Sequence, residues 1–229
     1  GTLLSPFSED PLRVVVEGAI AVEFLGADSE SRILEVLVPG DCVPCWPDAG
    51  ESTPQFGLRA MVASKVARVP ERAFERVIQR EPELVRAFGL QLVQQHSELL
   101  ERLASAVQNS AMCRVSGAVD YLRRKLGQRC PLAEGTRIPL SQVEVAKVAN
   151  HTRQTTNEVL AQLQAVGLVR VERSMICVLD LDGVASVAFS AGGSHILSGG
   201  YEQVVRVWDA RSGRQESLLE GHSGTVYGI

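Results

Sequence analysis

The stretch from residue 139 to 179, PLSQVEVAKVANHTRQTTNEVLAQLQAVGLVRVERSMICVL, constrains the fold of this chain more than any other. Ser141 precedes an apolar-periodic run and Glu144 follows it by three residues, the signature of a capping box at a helix start. Val143, Ala146, Val148 and Ala149 supply that short helix with a packing face. Asn150 and His151 break it, and Asn tolerates the left-handed backbone of a tight turn better than most residues. Thr152 can cap a second helix over 153–165, with Val159, Leu160 and Leu163 facing inward and Arg153, Gln154 and Asn157 outward. Gly167 stops that helix. Two β-prone runs, 169–172 and 175–179, meet at Arg173 and Ser174. Two helices about a three-residue turn, followed by a β-hairpin, predict a winged helix-turn-helix.

Helix pairs of this kind also arise by chance in helical proteins. Two observations favour DNA. Outward Arg, Gln and Asn at the start of the second helix are the side chains that reach guanine and adenine edges in a major groove. From Cys113 to Cys177 there are ten Lys and Arg against five Asp and Glu, a net +5, whereas the rest of the chain carries −9. The overall charge of −4 would speak against nucleic acid if taken alone. A basic island in an acidic chain overrides it.

Upstream, residues 1–70 read as β structure. The run 14–17, then Ile20, Val22 and Phe24 alternating with smaller partners, then 33–38, 57–63 and 65–69 are strands separated by a polar loop at 26–31 and a Pro39-Gly40-Asp41 turn. Such spacing suggests a small β-barrel or jelly roll. A short helix over 71–80 follows. From 83 to 107 runs the longest helical pattern, in which Val85, Gly89, Leu92, His96, Leu99, Leu103 and Ala106 recur at steps of four and three. That is a coiled-coil seam, widened by Leu84, Val93, Leu100 and Val107, and it predicts a dimerisation helix. His96 on the seam reads as a register-setting polar residue rather than a ligand. Another amphipathic helix covers 114–127, with Val115, Ala118, Val119, Leu122 and Leu126 inside and Arg123, Arg124 and Lys125 outside; 130–137 is a loop. The five cysteines, odd in number and irregular in spacing, do not suggest a disulfide framework, and a reducing cytoplasm is expected. No apolar run approaches membrane-spanning length and no signal peptide opens the chain. The first residue, Gly, suggests a processed or clipped start.

The PGD turn after the hairpin, the EPEL opening of the long helix and LSQVEVAKVANHTRQTTNEVL resemble the CRP/FNR family of bacterial transcription regulators, over about residues 12–180. The resemblance implies a cyclic-nucleotide-receptor-like barrel, a homodimer and a palindromic double-stranded DNA site. It implies that Arg153 reads guanine and that Gln154, Asn157 and Glu158 tune sequence choice. The candidate DNA-contacting set is Ser141, Thr152, Arg153, Gln154, Thr155, Asn157, Glu158 and Arg173. The candidate dimer interface is Val85, Leu92, His96, Leu99 and Leu103. The barrel is expected to lack its first strand, since little precedes Leu12.

The ligand cassette departs from the family. Cyclic-nucleotide binders carry Gly-Glu for the ribose and Arg-Ser for the phosphate, where this chain has Pro44-Cys45 and Gln55-Phe56-Gly57. Arg59 is near but need not point inward. Without an acid for the ribose hydroxyl and a fixed cation for the phosphate, the effector is expected not to be a cyclic nucleotide. Cys42-Val-Pro-Cys45 invites a thiol or metal reading, but two thiolates are half a zinc site, and semi-buried thiols packed on Trp46 are the favoured reading. No cofactor and no metal site are expected.

After Asp180 the character changes. Runs at 185–190, 195–199, 204–209 and 215–220, with Trp208-Asp209 and Gly221-His222, resemble one WD40 repeat and the opening of the next. One blade cannot bury both faces, so a fragment of a longer regulator–propeller fusion, or a spliced sequence, is expected. The whole reads as α+β, in four parts: an incomplete sensor β-barrel over 1–80, a dimerisation helix over 81–111, a winged helix-turn-helix over 112–180 and a β-propeller blade fragment over 181–229. Two functions compete: a sequence-specific, homodimeric transcription regulator, and a protein-interaction scaffold whose propeller recruits partners beside a vestigial helix-turn-helix. No phosphate loop, nucleophile elbow, HExxH or paired catalytic carboxylates are present, so an enzyme is not expected.

Overall fold

In a computed structural model, which describes residues 3–4, 12–26, 30–43, 56–107, 110–179, 186–190, 194–199, 203–209, 212 and 214–223, the β-branched runs near the N-terminus become strands. They are β1 (Leu3–Leu4), β2 (Leu12–Glu17), β3 (Ile20–Leu25), β4 (Ser31–Leu37), β5 (Phe56–Ala60) and β6 (Lys65–Val69). One antiparallel sheet has the order β1-β5-β3-β4 and a second pairs β2 with β6. Val15 from the small sheet and Ile20, Val22, Leu37 and Leu58 from the large one form a shared core with Val43 and Val66. The sheets face each other without closing into the expected barrel. Ahead of β2, Leu3 and Leu4 pair with Arg59 and Leu58 of β5.

Two helices follow, α1 (Glu71–Arg80) and α2 (Pro82–Ala106). Pro82 separates them: it bars helical backbone at Glu81, which takes φ −128° and ψ 67°, and itself suits the first position of a new helix. Phe74 meets Phe88 edge-on at 6.4 Å and ties α1 to α2. Gln91 and Gln95, one helical turn apart, dock on the Pro39-Gly40-Asp41 turn. Gln91 donates to Asp41 Oδ1 at 2.9 Å, and Gln95 bonds both the amide and the carbonyl of Cys42 at 3.0 Å. The other carboxylate oxygen of Asp41 accepts the Val38 amide, so the aspartate closes the turn and receives the helix together.

The described chain parts into two compact units, Gly1–Glu101 and Arg102–Ile229. In the second, α3 (Ala111–Leu126), α4 (Gln142–Ala149) and α5 (Arg153–Ala165) pack beside a sheet of order β7-β8-β10-β9, formed by β7 (Gln128–Arg129), β8 (Thr136–Ile138), β9 (Val169–Glu172) and β10 (Met175–Val178). Leu122, Ile138, Leu160, Leu163 and Ile176 are fully buried there, each worth about 1.5–3 kcal/mol against exposure. Val145, not Val143, joins Ala146, Val148 and Ala149 in the packing face of α4. Two residues are about 200° of helix, so the two valines cannot share a face, and Val143 is exposed. Arg123 is not outward: it lies half-buried against Asp120 at 2.8 Å, which also holds Arg124 at 3.2 Å.

The cysteine expectation is corrected as well. Cys130 and Cys177 form a disulfide, 47 residues apart in sequence, because the antiparallel sheet brings the β7–β8 connection beside β10. Spacing alone gives no warning of such a tertiary neighbour. After β10, β11 (Ser186–Phe189), β12 (His195–Gly199), β13 (Val205–Asp209) and β14 (Gln215–Leu219) form an antiparallel meander in sequence order, in which Trp208 donates to Ser198 at 2.8 Å.

Candidate nucleic-acid interface

Ser141 caps α4, its hydroxyl accepting the Glu144 amide at 3.4 Å. The helix ends at Asn150, whose φ of 52° and ψ of 48° are the left-handed turn that Asn tolerates, and the His151 amide bonds back to the Ala146 carbonyl. Thr152 then caps α5, accepting the Thr155 amide at 3.2 Å, with the two threonine hydroxyls 2.9 Å apart. At the far end Gly167, at φ +77°, and Leu168 donate to the Gln164 and Leu163 carbonyls, a Schellman ending that needs glycine's left-handed freedom.

Between those caps, Thr156, Val159, Leu160 and Leu163 are buried, so the opposite face of α5 is presented outward. Arg153 is exposed at its first position, and no described residue pairs with its guanidinium. Gln154, also exposed, donates to Glu158 one turn on at 3.1 Å. Asn157, expected outward, is half-buried, and its Oδ1 is without a partner among the described residues. Thr152, Arg153, Gln154, Thr155, Asn157 and Glu158 thus share the first two turns of α5, whereas Ser141 stands at the start of α4 and exposed Arg173 at the β9–β10 turn. Burial, and next the Arg114 cation, hold the His151 imidazole below its ordinary pKa, so the turn itself adds no cation near neutral pH.

One contact had no sequence signal. The Gln164 side chain accepts the Val171 amide at 2.8 Å and joins the outer end of α5 to the hairpin. A spacing of seven between a helix glutamine and a strand amide belongs to no motif.

On α2, Leu92 and Leu103 of the seam are exposed, His96 is exposed, and Val85 and Leu99 are half-buried; Leu84, Leu90, Val93, Leu100 and Val107 are exposed beside them. Of the ligand cassette, Pro44, Cys45, Trp46 and Gln55 lie outside the described residues. Arg59 is engaged by Glu23, with both its Nε and its Nη2 at 2.8 Å from one carboxylate oxygen. A cavity of about 240 Å³ lies beside that pair, and none of its described lining residues, Glu23, Leu25, Ser31, Phe56 and Gly57, is cationic. Burial, then Asp41 and Glu35, push the Cys42 thiol up to about 11, so it is a thiol rather than a thiolate at neutral pH. No metal-holding group of His, Cys, Asp or Glu is found among the described residues.

Comparison with known proteins places these elements. Residues 113–187 match the Crp-like helix-turn-helix domain. A CRP-family transcriptional regulator from Thermus thermophilus superposes with a TM-score of 0.61 at 20% identity, covering 79% of this chain and 89% of that one. A cyclic nucleotide-binding domain containing protein from Listeria monocytogenes gives 0.66 at 15%, covering 78% and 85%. The c-di-GMP responsive global regulator of Xanthomonas campestris gives 0.61 at 19%, covering 78% and 90%. Among curated proteins, similarity is to the dynein assembly factor with WD repeat domains 1. It is 31% identical in Xenopus laevis, over 39% of this chain, and 39% identical in Danio rerio, over 20% of it. The chain spans only 22% and 11% of those relatives' lengths. Residues 113–187, which take in nearly all of α3 and run through β10, therefore match the Crp-like helix-turn-helix domain, in a chain whose fold is that of solved CRP/FNR-family regulators.

Proposed function

We propose that this chain is a homodimeric, sequence-specific DNA-binding transcription regulator that reads a palindromic duplex with α5 and acts by binding rather than catalysis. The observation that carries the reading is the exposed Arg153 and Gln154 at the capped start of α5. They project from a segment of net charge +5 within a Crp-like helix-turn-helix domain. Two such helices, one per protomer, would enter successive major grooves, with Ser141, Thr152, Thr155 and Arg173 near the phosphates. Working on DNA, the protein belongs in the cytoplasm. No described helix is long and apolar enough to cross a membrane. We retain the division into sensor, 1–80, dimer helix, 81–111, DNA-binding domain, 112–180, and blade, 181–229.

The test is a binding titration of the full chain on duplexes recovered from a random pool, at two salt concentrations. Saturable binding that falls steeply with salt is expected, because each neutralised phosphate releases a counterion. Absent or salt-insensitive binding overturns the reading. It would favour the scaffold function, for which the β11–β14 meander and the chain's short similarity to a WD-repeat protein speak, with protein partners recruited through that segment.

The effector is expected not to be a cyclic nucleotide. Glu23 already engages Arg59, and the described residues lining the adjacent cavity include no cation for a phosphate. Calorimetry with cyclic AMP and cyclic GMP should give no saturable heat at physiological concentrations. Binding with a Kd of about 1 μM, some −8 kcal/mol, would refute this and point to Arg59 exchanging its partner.

A further inference from the structure

We propose that Arg102 is a positioning residue for DNA recognition, holding the end of α4 and through it the turn that aims α5. The inference rests on the reading of α5 as the recognition helix. Arg102 lies near the C-terminal end of α2, just before its last turn, where its neighbours Glu101, Leu103 and Ala104 are exposed, yet it is only 8% exposed itself. Its Nη2 donates to the Val148 carbonyl at 2.7 Å. The last four carbonyls of a helix have no partner within it, and a cation there also meets the negative end of the helix dipole. In α4, Ala146 receives the Asn150 and His151 amides, and Val148 receives Arg102. The guanidinium also lies over the ring of buried Tyr121 in α3, 4.8 Å from its centroid.

One side chain, itself within the second unit, thereby joins α3 and α4. Val148 is two residues before left-handed Asn150 and five before Arg153, and α4 has only eight residues. A shift of its last turn is carried straight into the first turn of α5. Burial lowers the pKa of the guanidinium, so the charge is costly where it sits. A packed apolar side chain would stabilise such a site at less cost than a buried cation. What the planar guanidinium adds is direction, through a hydrogen bond and a stacking plane at fixed angles.

The test compares wild type, Arg102→Met and Arg102→Lys in the full chain. The probes are a palindromic duplex selected by the wild-type protein and a scrambled duplex of equal length. Arg102→Met should lose about tenfold or more on the selected duplex while scrambled-duplex affinity and salt slope stay within about twofold, since phosphate contacts do not need the exact aim of α5. Arg102→Lys, which keeps the charge without the fork, should fall between. Equal losses on both duplexes would mark Arg102 as merely structural, and no loss on either would deny it any role. If Arg102→Met does not fold, by circular dichroism, Arg102→Lys decides alone: its ratio of the two affinities must drop, and an unchanged ratio overturns the proposal. A wild-type protein that binds no duplex removes the DNA reading and this inference together. A discriminating wild type with an equally discriminating variant removes only the role of Arg102.

Discussion

Arg153→Ala should weaken binding to the cognate duplex by about 1–3 kcal/mol per half-site and relax selectivity at one base pair in each. The expectation follows from its place at the first position of α5, exposed and without a described partner, where a guanidinium can reach the O6 and N7 of one guanine. The helix N-terminus would at the same time sit near backbone phosphate. Because α5 is held by Thr152 at one end and by the Gly167 turn at the other, losing the arginine should leave the helix intact. Lys147→Ala is the companion variant. A phosphate contact should weaken all sequences alike and lower the salt slope by about one. Matched and mismatched duplexes titrated at two salt concentrations separate the two outcomes. Equal losses on both duplexes for Arg153→Ala would take it out of base readout and leave specificity to Gln154, Asn157 or DNA shape.

If the chain dimerises through α2 as proposed, Leu103→Glu should leave it monomeric. Leu103 is 52% exposed in the single protomer, so its change does little to the core, whereas Leu99 is already half-buried. In a homodimer the substitution enters twice. Each copy forfeits about 2 kcal/mol of apolar burial, and about 4 kcal/mol per dimer is three decades in Kd, before the cost of desolvating a carboxylate is added. Sedimentation of wild type and variant at micromolar concentration reads the result. A wild type already monomeric there would remove the dimer from the proposed function, and an unshifted variant would place the interface elsewhere on the exposed face that includes Val93, Leu100 and Val107.

The two capped helices and their hairpin were legible from the residues because the forces that set them are local. Ser141, Thr152, Asn150 and Gly167 act within four residues of their own backbone, and each does what its side chain or its φ allows. The apolar period of α4 was less legible. Three closely spaced valines in an eight-residue helix fit two faces, and only packing selects Val145 over Val143. The same limit hid the inward turn of Arg123, which depends on Asp120 being buried beside it. Wholly non-local contacts left no trace in the spacing: Arg102 with Val148, Gln164 with Val171, and Cys130 with Cys177. Each links residues at a spacing that matches no helix or strand period. The antiparallel partner of Leu3 and Leu4 was likewise invisible, since two residues are too few to show a period.

The Cys130–Cys177 bond closes a loop that contains α4, α5 and β9 in full. A pull applied to the two ends of the chain would pass from residue 130 to residue 177 through sulfur, and α5 would bear none of it. With the bond intact, the stretched chain would stop roughly 160 Å short of its full contour, the length held in the 47 enclosed steps at about 3.4 Å each. A reductant would release that length, and only then would α5 lie in the line of force.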